Sequence, residues 1–461
     1  MRKTLEKYKK LYRRTFGLLI IITLGIIFAE VWYSKFNVYM QRSFQSSGNY
    51  LILLIYMIVV WICFGLWDGL KIGYDTPLSI ITSQVFAVIC TNIIFFVQMI
   101  LLIGNVFYVY IILKEIVWLT LKDSVICIVF SAIATIIYRK LFPAYNVIQV
   151  NGNHENFLRN KVSRRDDKYK ICKEVSVELP WEKLQKEFLN YDAVLLNDVS
   201  SQYKNKILKY CFEQSIRVYF TPKISDILVK GSEEINLFDS PLFLCRNIGL
   251  SKEDACVKRI MDVVVSSLGI LITSPIMLVA ALMIKLGDGG PVFYKQQRCT
   301  MDGKVFWIYK FRSMVVDSEK DGVPRPAANN DDRITPVGKV IRSTRIDELP
   351  QLFNILKGDM SLVGPRPERI EHMEKYSQEI PEFDFRLRVK GGLTGYAQVY
   401  GKYNTSAYDK LKMDLIYIQN YSLLLDIKII LMTCKVIFSK ESTEGFSEQK
   451  IQQMKEENNE K

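Results

Sequence analysis

The sequence predicts a membrane-anchored protein in three parts. These are an α-helical bundle of four spans over residues 1–140, a small α/β module over 145–250, and an α/β domain over 256–446 carrying one further membrane helix. Three observations predict this. Four nearly uncharged runs of span length follow a basic N-terminus. Short apolar strands then alternate with polar helical stretches after residue 145. Finally, a fifth uncharged run, 263–284, within a helix expected over about 262–285, carries Ser274-Pro275 at its centre.

The first three runs, 16–33, 50–67 and 78–103, each approach the roughly 20 residues a helix needs to cross a bilayer. The fourth, 116–138, is interrupted by Lys122 and Asp123 and ends at Arg139-Lys140. A signal peptide is the rival reading of the first run, but no small-residue cleavage site follows it and further spans do. Four crossings return the chain to its starting side. Lys7, Lys9, Lys10, Arg13 and Arg14 at one end, with Arg139 and Lys140 at the other, place that side in the cytoplasm.

Composition narrows the function classes. A chain of 461 residues, 49% hydrophobic, is too long for one domain and too apolar to be wholly soluble. Its net charge of +13 gathers beside apolar segments, which fits anionic lipid and not nucleic acid. Nine cysteines without a Cys-x-x-Cys spacing read as scattered thiols of a reducing compartment. Only two histidines, His154 and His372, are present, both read as surface residues, so a histidine-held metal or a Ser-His-Asp triad has almost nothing to be built from.

In the module, 147–150, 193–196 and 216–220 read as strands and 204–212 as a helix. Only Gly152 follows the first strand; no G-x-G-x-x-G exists, and a structural or regulatory role is expected in place of a bound dinucleotide. The tail 447–461, rich in Gln, Glu, Lys and Asn, is expected to be disordered.

The chemistry concentrates around Asp347-Glu348 and Pro365-Arg366-Pro367. A carboxylate pair alone marks little more than a helix start. Here Arg333, Arg342, Arg345 and Arg366 lie on either side of it in sequence. Arginines beside two acids suit a diphosphate whose charge they offset, with a carboxylate as attacking group. Arg345 is read as solvated surface charge. Lys310 and Arg312 flank Phe311 and share one face if the segment is a strand, either towards a phosphate or towards solvent. Gly391, Gly392 and Gly395 allow close backbone approach, although turn glycines usually need no ligand.

From Lys258-Arg259 the chain resembles the bacterial sugar transferases, the monotopic phosphoglycosyl transferases. The resemblance runs through Gln297-Arg298, Lys310-Phe311-Arg312-Ser313-Met314, Asp332-Arg333-Ile334-Thr335, Arg342, the dyad, Pro365-Arg366-Pro367 and Leu393-Thr394-Gly395-Tyr396-Ala397-Gln398. The upstream part is similar to the large members, which carry a membrane bundle and a Rossmann-like module. Two positions depart from the pattern: Thr300, where glycine is usual, and Gly391, where proline is frequent.

The resemblance implies transfer of a sugar-1-phosphate from a nucleotide sugar to undecaprenyl phosphate at the inner face of the bacterial cytoplasmic membrane, initiating exopolysaccharide, capsule or O-antigen synthesis. Asp347 is then the nucleophile and Glu348 an acid/base or metal ligand. Arg366, Arg342, Arg333, Lys310, Arg312 and Arg298 hold phosphate, and Mg²⁺ sits at Asp347 and Glu348. Nucleotide sugar, undecaprenyl phosphate and the bilayer are the expected partners, with room for a homodimer.

Because nucleotide sugars are cytoplasmic, the fifth run is expected to be re-entrant, turning at Ser274-Pro275 and leaving on its side of entry. Two other readings stand beside this one: a membrane-bound regulator without transferase activity, and a glycosyltransferase acting on a lipid-linked sugar.

Overall fold

The computed structural model describes residues 6–40, 43–152, 158–245, 249–316, 331, 333–401 and 405–437. His154, Asp332 and the tail 447–461 lie outside the described residues. The chain divides into two units, Met1–Pro222 and Lys223–Lys461.

The first unit opens with α1 (Lys9–Ser34), α2 (Ser46–Leu66), α3 (Pro77–Ile103) and α4 (Val109–Leu141). All four are long and apolar enough to cross a membrane. The basic segment Lys9–Arg14 is already helical, because lysine and arginine are good helix formers whatever their hydropathy. The bundle interior is aromatic: the rings of Phe28 and Tyr56 stack with centroids 4.0 Å apart, and Phe95 meets Phe28 edge-on at 5.1 Å.

The acid that interrupts the fourth run is fully buried, whereas Lys122 pairs at 3.8 Å with an exposed Glu30. Asp123 accepts hydrogen bonds from Tyr56 Oη (3.1 Å) and Asn92 Nδ2 (3.2 Å), and Asn92 also donates to Thr120 Oγ1 (2.9 Å). Three helices are thereby tied together through polar groups that an apolar interior would otherwise penalise.

The module follows in the same unit as β1 (Tyr145–Asn151), α5 (Leu158–Val162), β2 (Tyr169–Ser176), α6 (Trp181–Phe188), β3 (Ala193–Asn197), α7 (Ser201–Glu213) and β4 (Arg217–Phe220). Its sheet is wholly parallel, in the order β2-β1-β3-β4. Three strands and α7 lie where the sequence indicates them. Strand β2 does not read as a strand because it is an edge strand and mostly solvated, which leaves its sequence, YKICKEVS, full of charges.

The second unit starts earlier than the composition break suggests. α8 (Ile224–Lys230) buries Ile224 and Ile227 in a cluster with Met373, Phe383, Leu411 and Leu415, and the hairpin β5 (Glu233–Leu237) with β6 (Ser240–Leu244) follows it. The boundary therefore falls at Pro222/Lys223 and not near residue 250.

α9 (Lys252–Asp288) is the spine of this unit. After it come the antiparallel pair β7 (Phe293–Cys299) and β8 (Val305–Phe311), then α10 (Pro336–Ser343), α11 (Gln351–Lys357) and β9 (Ser361–Val363). α12 (Ile370–Glu379), β10 (Gly392–Thr394), α13 (Tyr396–Tyr400), α14 (Ala407–Gln419) and α15 (Leu423–Ile437) complete it, with β10 parallel to β9.

α9 is helical from end to end, so the re-entrant turn expected at Pro275 would be a bend within one continuous helix. The reason is local. Pro275 has no N–H to give to the carbonyl four residues back, that of Leu271. Ser274 Oγ donates to that same carbonyl at 2.8 Å and takes the amide's place. One face of α9 buries Lys258, Asp262, Ser266, Met277, Ala280 and Ile284 at helical spacing on both sides of Pro275. Leu271, Ile272, Leu278, Val279 and Leu282 on the remaining faces are each more than half exposed.

A fragment beginning at Lys223 should be more stable in detergent than one beginning at Ser251. The shorter fragment loses two buried isoleucines, worth ~1.5–3 kcal/mol each. Thermal melting of the two fragments checks this, and equal midpoints would show that α8 is dispensable to the core.

Candidate active site

α10 ends at Ser343, and Arg345 adopts φ +58°, reversing the chain into a single 3-10 turn, Ile346–Glu348. In such a turn residues three apart share a face. Ile346 and Leu349 therefore point together into the cluster of Met277, Ala280 and Ile284 of α9 with Phe311. The two acids between them are left on the other side.

Three contacts fix their surroundings. Asn354, fully buried on α11, donates to Trp307 O (2.7 Å) and accepts from Tyr309 N (3.0 Å), clamping α11 to β8 beside Lys310. Arg259 donates to the last carbonyls of α11, those of Ile355 and Leu356, both at 2.7 Å. Asp262 Oδ1 accepts from Ser361 Oγ (3.0 Å) and Leu362 N (2.9 Å), which sets β9 and the turn beyond it.

At the centre, Glu348 Oε1 accepts from Lys310 Nζ and from Arg366 Nη2, each at 2.9 Å. Burial alone would raise the Glu348 carboxyl, but Lys310 and Arg366 outweigh it and hold it well below the usual carboxylate range. Glu348 in turn raises the Arg366 guanidinium, while burial lowers the Lys310 ammonium. Asp347 behaves oppositely. Burial and the neighbouring Glu348 push its carboxyl up, against the pull of Lys310, Arg342 and Arg345. Its Oδ1 is buried and has no hydrogen-bond partner. The dyad thus contains one carboxylate locked to cations and one with an unsatisfied oxygen.

The other predicted cations go elsewhere. Arg298 is largely buried and donates to Pro367 O (3.2 Å) and Gln296 Oε1 (2.7 Å), so it braces the Pro-Arg-Pro turn; burial, with Arg366 nearby, brings its guanidinium down to about 10. Arg312 lies just past β8 and binds Asp288 at the end of α9. Arg333 makes a bidentate pair with Asp331. Arg345, read from sequence as plain surface charge, acts on both dyad carboxyls. His372 is half-buried, 3.9 Å from Glu368.

Sequence reasoning missed the group beneath the turn. Arg386 is 3% exposed. Its Nη2 donates to Arg366 O (3.0 Å) and lies 2.8 Å from Asp414 Oδ2 without hydrogen-bond alignment, and its Nη1 is 3.6 Å from Glu368. Burial raises the Asp414 carboxyl to about 6, whereas Glu368 sits near 2, its own burial offset first by His372 and then by Arg386. The signal was present as two acids and an arginine at internal positions, but 20 to 66 residues separate them from Glu348 in the chain.

The glycines serve the backbone. A Cβ on Gly364 would lie 2.3 Å from Lys390 O, and one on Gly392 2.1 Å from Gly364 N, so two chain segments pass where only glycine fits. The two departures from the family pattern meet: Gly391 N donates to Thr300 Oγ1 at 3.1 Å, and Thr300 Oγ1 donates to Asp359 O at 3.2 Å.

Among the described residues, no group of three His, Cys, Asp or Glu side chains is disposed to hold a metal. A cation here would rest on the two dyad carboxylates with ligand oxygens and water, and Asp347 Oδ1 is the free donor.

A family model described as "Bacterial sugar transferase" matches residues 253–440. The chain is 39% identical over 269 residues to the UDP-N-acetylgalactosamine-undecaprenyl-phosphate N-acetylgalactosaminephosphotransferase of Aeromonas hydrophila, covering 56% of this chain and 62% of that protein. It is 44% identical to the UDP-glucose:undecaprenyl-phosphate glucose-1-phosphate transferase of Klebsiella pneumoniae, covering 45% of each. To the like-named protein of Caulobacter vibrioides it is 44% identical over 38% of this chain and 67% of that one. The chain therefore spans between about half and two thirds of the length of these relatives.

Asp414 gives a pH dependence with a defined sign. Its folded value, about 6, exceeds the ordinary 3.8, so the group's contribution to stability is full below 3.8 and is lost as pH rises through 6. Asp414→Asn, which mimics the protonated form, should remove this dependence. The difference in melting temperature, wild type minus variant, should fall between about pH 4 and pH 6; a constant difference would contradict it.

Proposed function

Because the chain belongs to the bacterial sugar transferase family, we propose that it transfers a sugar-1-phosphate from a UDP-sugar to undecaprenyl phosphate, releasing UMP. The observation that carries this reading is the asymmetry of the dyad: Glu348 is occupied by Lys310 and Arg366, while Asp347 keeps an unpartnered buried oxygen. Asp347 attacks the phosphorus that bears the sugar, and the bond to UMP breaks, leaving a sugar-phosphate on the carboxylate. A phosphate oxygen of the lipid then attacks that phosphorus and releases Asp347, giving the diphosphate-linked sugar. Arg366, Lys310 and Arg342 take up charge on the transferring group. Magnesium, held by Asp347 and Glu348 in this reading, supplies further charge neutralisation.

Relatives named for different sugars match this chain at similar identity, so the sugar is a matter for assay. We place the bundle in the cytoplasmic membrane as four crossings and the transferase domain on its inner face. α9 then enters and leaves on that side, which its packing supports: Lys258 near its start meets Asp426 and Tyr417, and Ile284 near its end meets Phe311 and Ile341, all in one domain.

Incubating the enzyme with labelled UDP-sugar and no lipid should give a sugar-phosphate adduct on the peptide containing Asp347, with UMP in matching amount. Asp347→Asn should abolish both while retaining UDP-sugar binding. UDP in place of UMP would mean glycosyl transfer, and no nucleotide release from a folded enzyme would favour a regulator. For the topology, the exposed native Cys256 and a cysteine replacing the exposed Leu286 should both label from the cytoplasmic side; labelling from opposite sides would make α9 a crossing.

A further inference from the structure

At the end of the bundle where α1 begins and α2 finishes, a cleft of about 770 Å³ opens between these helices and the following loop. Along one face of α1 its lining passes from Lys10 and Arg14 to Gly17, Leu18 and Ile21, at spacings of three and four residues. At 1.5 Å per residue this is a gradient from cationic to apolar over roughly 16 Å. Trp61 and Leu70 continue the apolar side, and Lys71 and Arg13 the basic one. Gly17 keeps the cleft deep, since even a Cβ there would stand 3.2 Å from Leu70.

Two of the four charges are engaged internally and two are not. Lys71 pairs with Asp68 at 3.2 Å, and the Arg13 guanidinium lies 4.3 Å over the Tyr74 ring. Lys10 and Arg14 form no ion pair among the described residues, and Asp75 is the only acid in the lining. Lys10 and Arg14, with Arg13 beside them, complement a head of more than one negative charge. A phosphomonoester carries ≈ −1.5 to −2 near neutral pH, more than a phosphodiester lipid.

We propose that this cleft is a second binding site for the isoprenoid phosphomonoester acceptor, with the phosphate at Lys10 and Arg14 and the first isoprene units on Leu18, Ile21 and Trp61. It rests on the acceptor named under the proposed function, but on none of the residues of the transfer reaction. The bundle then gathers the lipid substrate from the bilayer as well as anchoring the enzyme.

The test uses the full-length protein in phosphatidylcholine nanodiscs and an undecaprenyl phosphate analogue with a photoreactive group near its head. Crosslinks should map to residues 10–21 and 61–75, be displaced by undecaprenyl phosphate but not by equimolar phosphatidylglycerol, and weaken about ten-fold or more in Lys10→Gln/Arg14→Gln. A control with the same charge change outside the cleft, Lys7→Gln/Lys140→Gln, should label like wild type, and both variants should keep the wild-type melting temperature.

Displacement by phosphatidylglycerol, equal loss in the control, or no crosslink in these segments would overturn the site. UMP release is measured in parallel. Transfer without labelling of the cleft would sink this site alone, and labelling of the cleft without transfer would sink the proposed reaction alone.

Discussion

Everything in the transferase unit converges on one carboxylate oxygen, Glu348 Oε1, shared by Lys310 and Arg366. Those two cations come from a strand and from a turn that have no sequence proximity to each other. Bringing them to 2.9 Å of the same atom requires β8, α11 and the Pro-Arg-Pro turn to be held in fixed register. The buried polar contacts around them do this: Asn354 on β8, Asp262 on β9, and Arg386 and Arg298 on the turn's own carbonyls. A charge-assisted bond is strong only when its partners need not move to make it. With Glu348 neutralised in this way, Asp347 can remain unpaired beside it without two bare charges facing one another.

In the proposed membrane placement α9 has to satisfy two solvents at once. Its buried stripe reads like that of a soluble helix, with charged Lys258 and Asp262 at one end, while its remaining faces read like a membrane helix. Proline in such a place would expose a carbonyl to hydrocarbon, where nothing else can satisfy it. The Ser274 hydroxyl supplies the missing donor, so Ser-Pro is better read as a matched pair than as a helix breaker.

The bundle, the parallel strands and the dyad were legible because each rests on local pattern: apolar length, alternation, or adjacent acids between apolar neighbours. Strand β2 was hidden because its mostly solvated sequence, YKICKEVS, carries three charges and no apolar run, whereas β4, the other edge strand, keeps the run Val218-Tyr219-Phe220. The domain boundary was hidden because α8 belongs by packing to residues about 150 positions later, which no composition window registers. Among the arginines, residue type signalled that cations gather at the site but not which of them face it. Arg298 and Arg312 differ from Arg366 only in what the folded chain places beside them.

Thr300 and Gly391 carry one more implication. Each taken singly looks like drift from a pattern, a bulkier residue in one turn and a missing ring in another, yet they are 91 positions apart and in contact. Proline at the second position would have no N–H to offer, and glycine at the first no oxygen to receive it. The dependence runs one way: with glycine at 300 the buried Gly391 N–H would lose this acceptor, whereas with proline at 391 the Thr300 hydroxyl would keep its bond to Asp359 O.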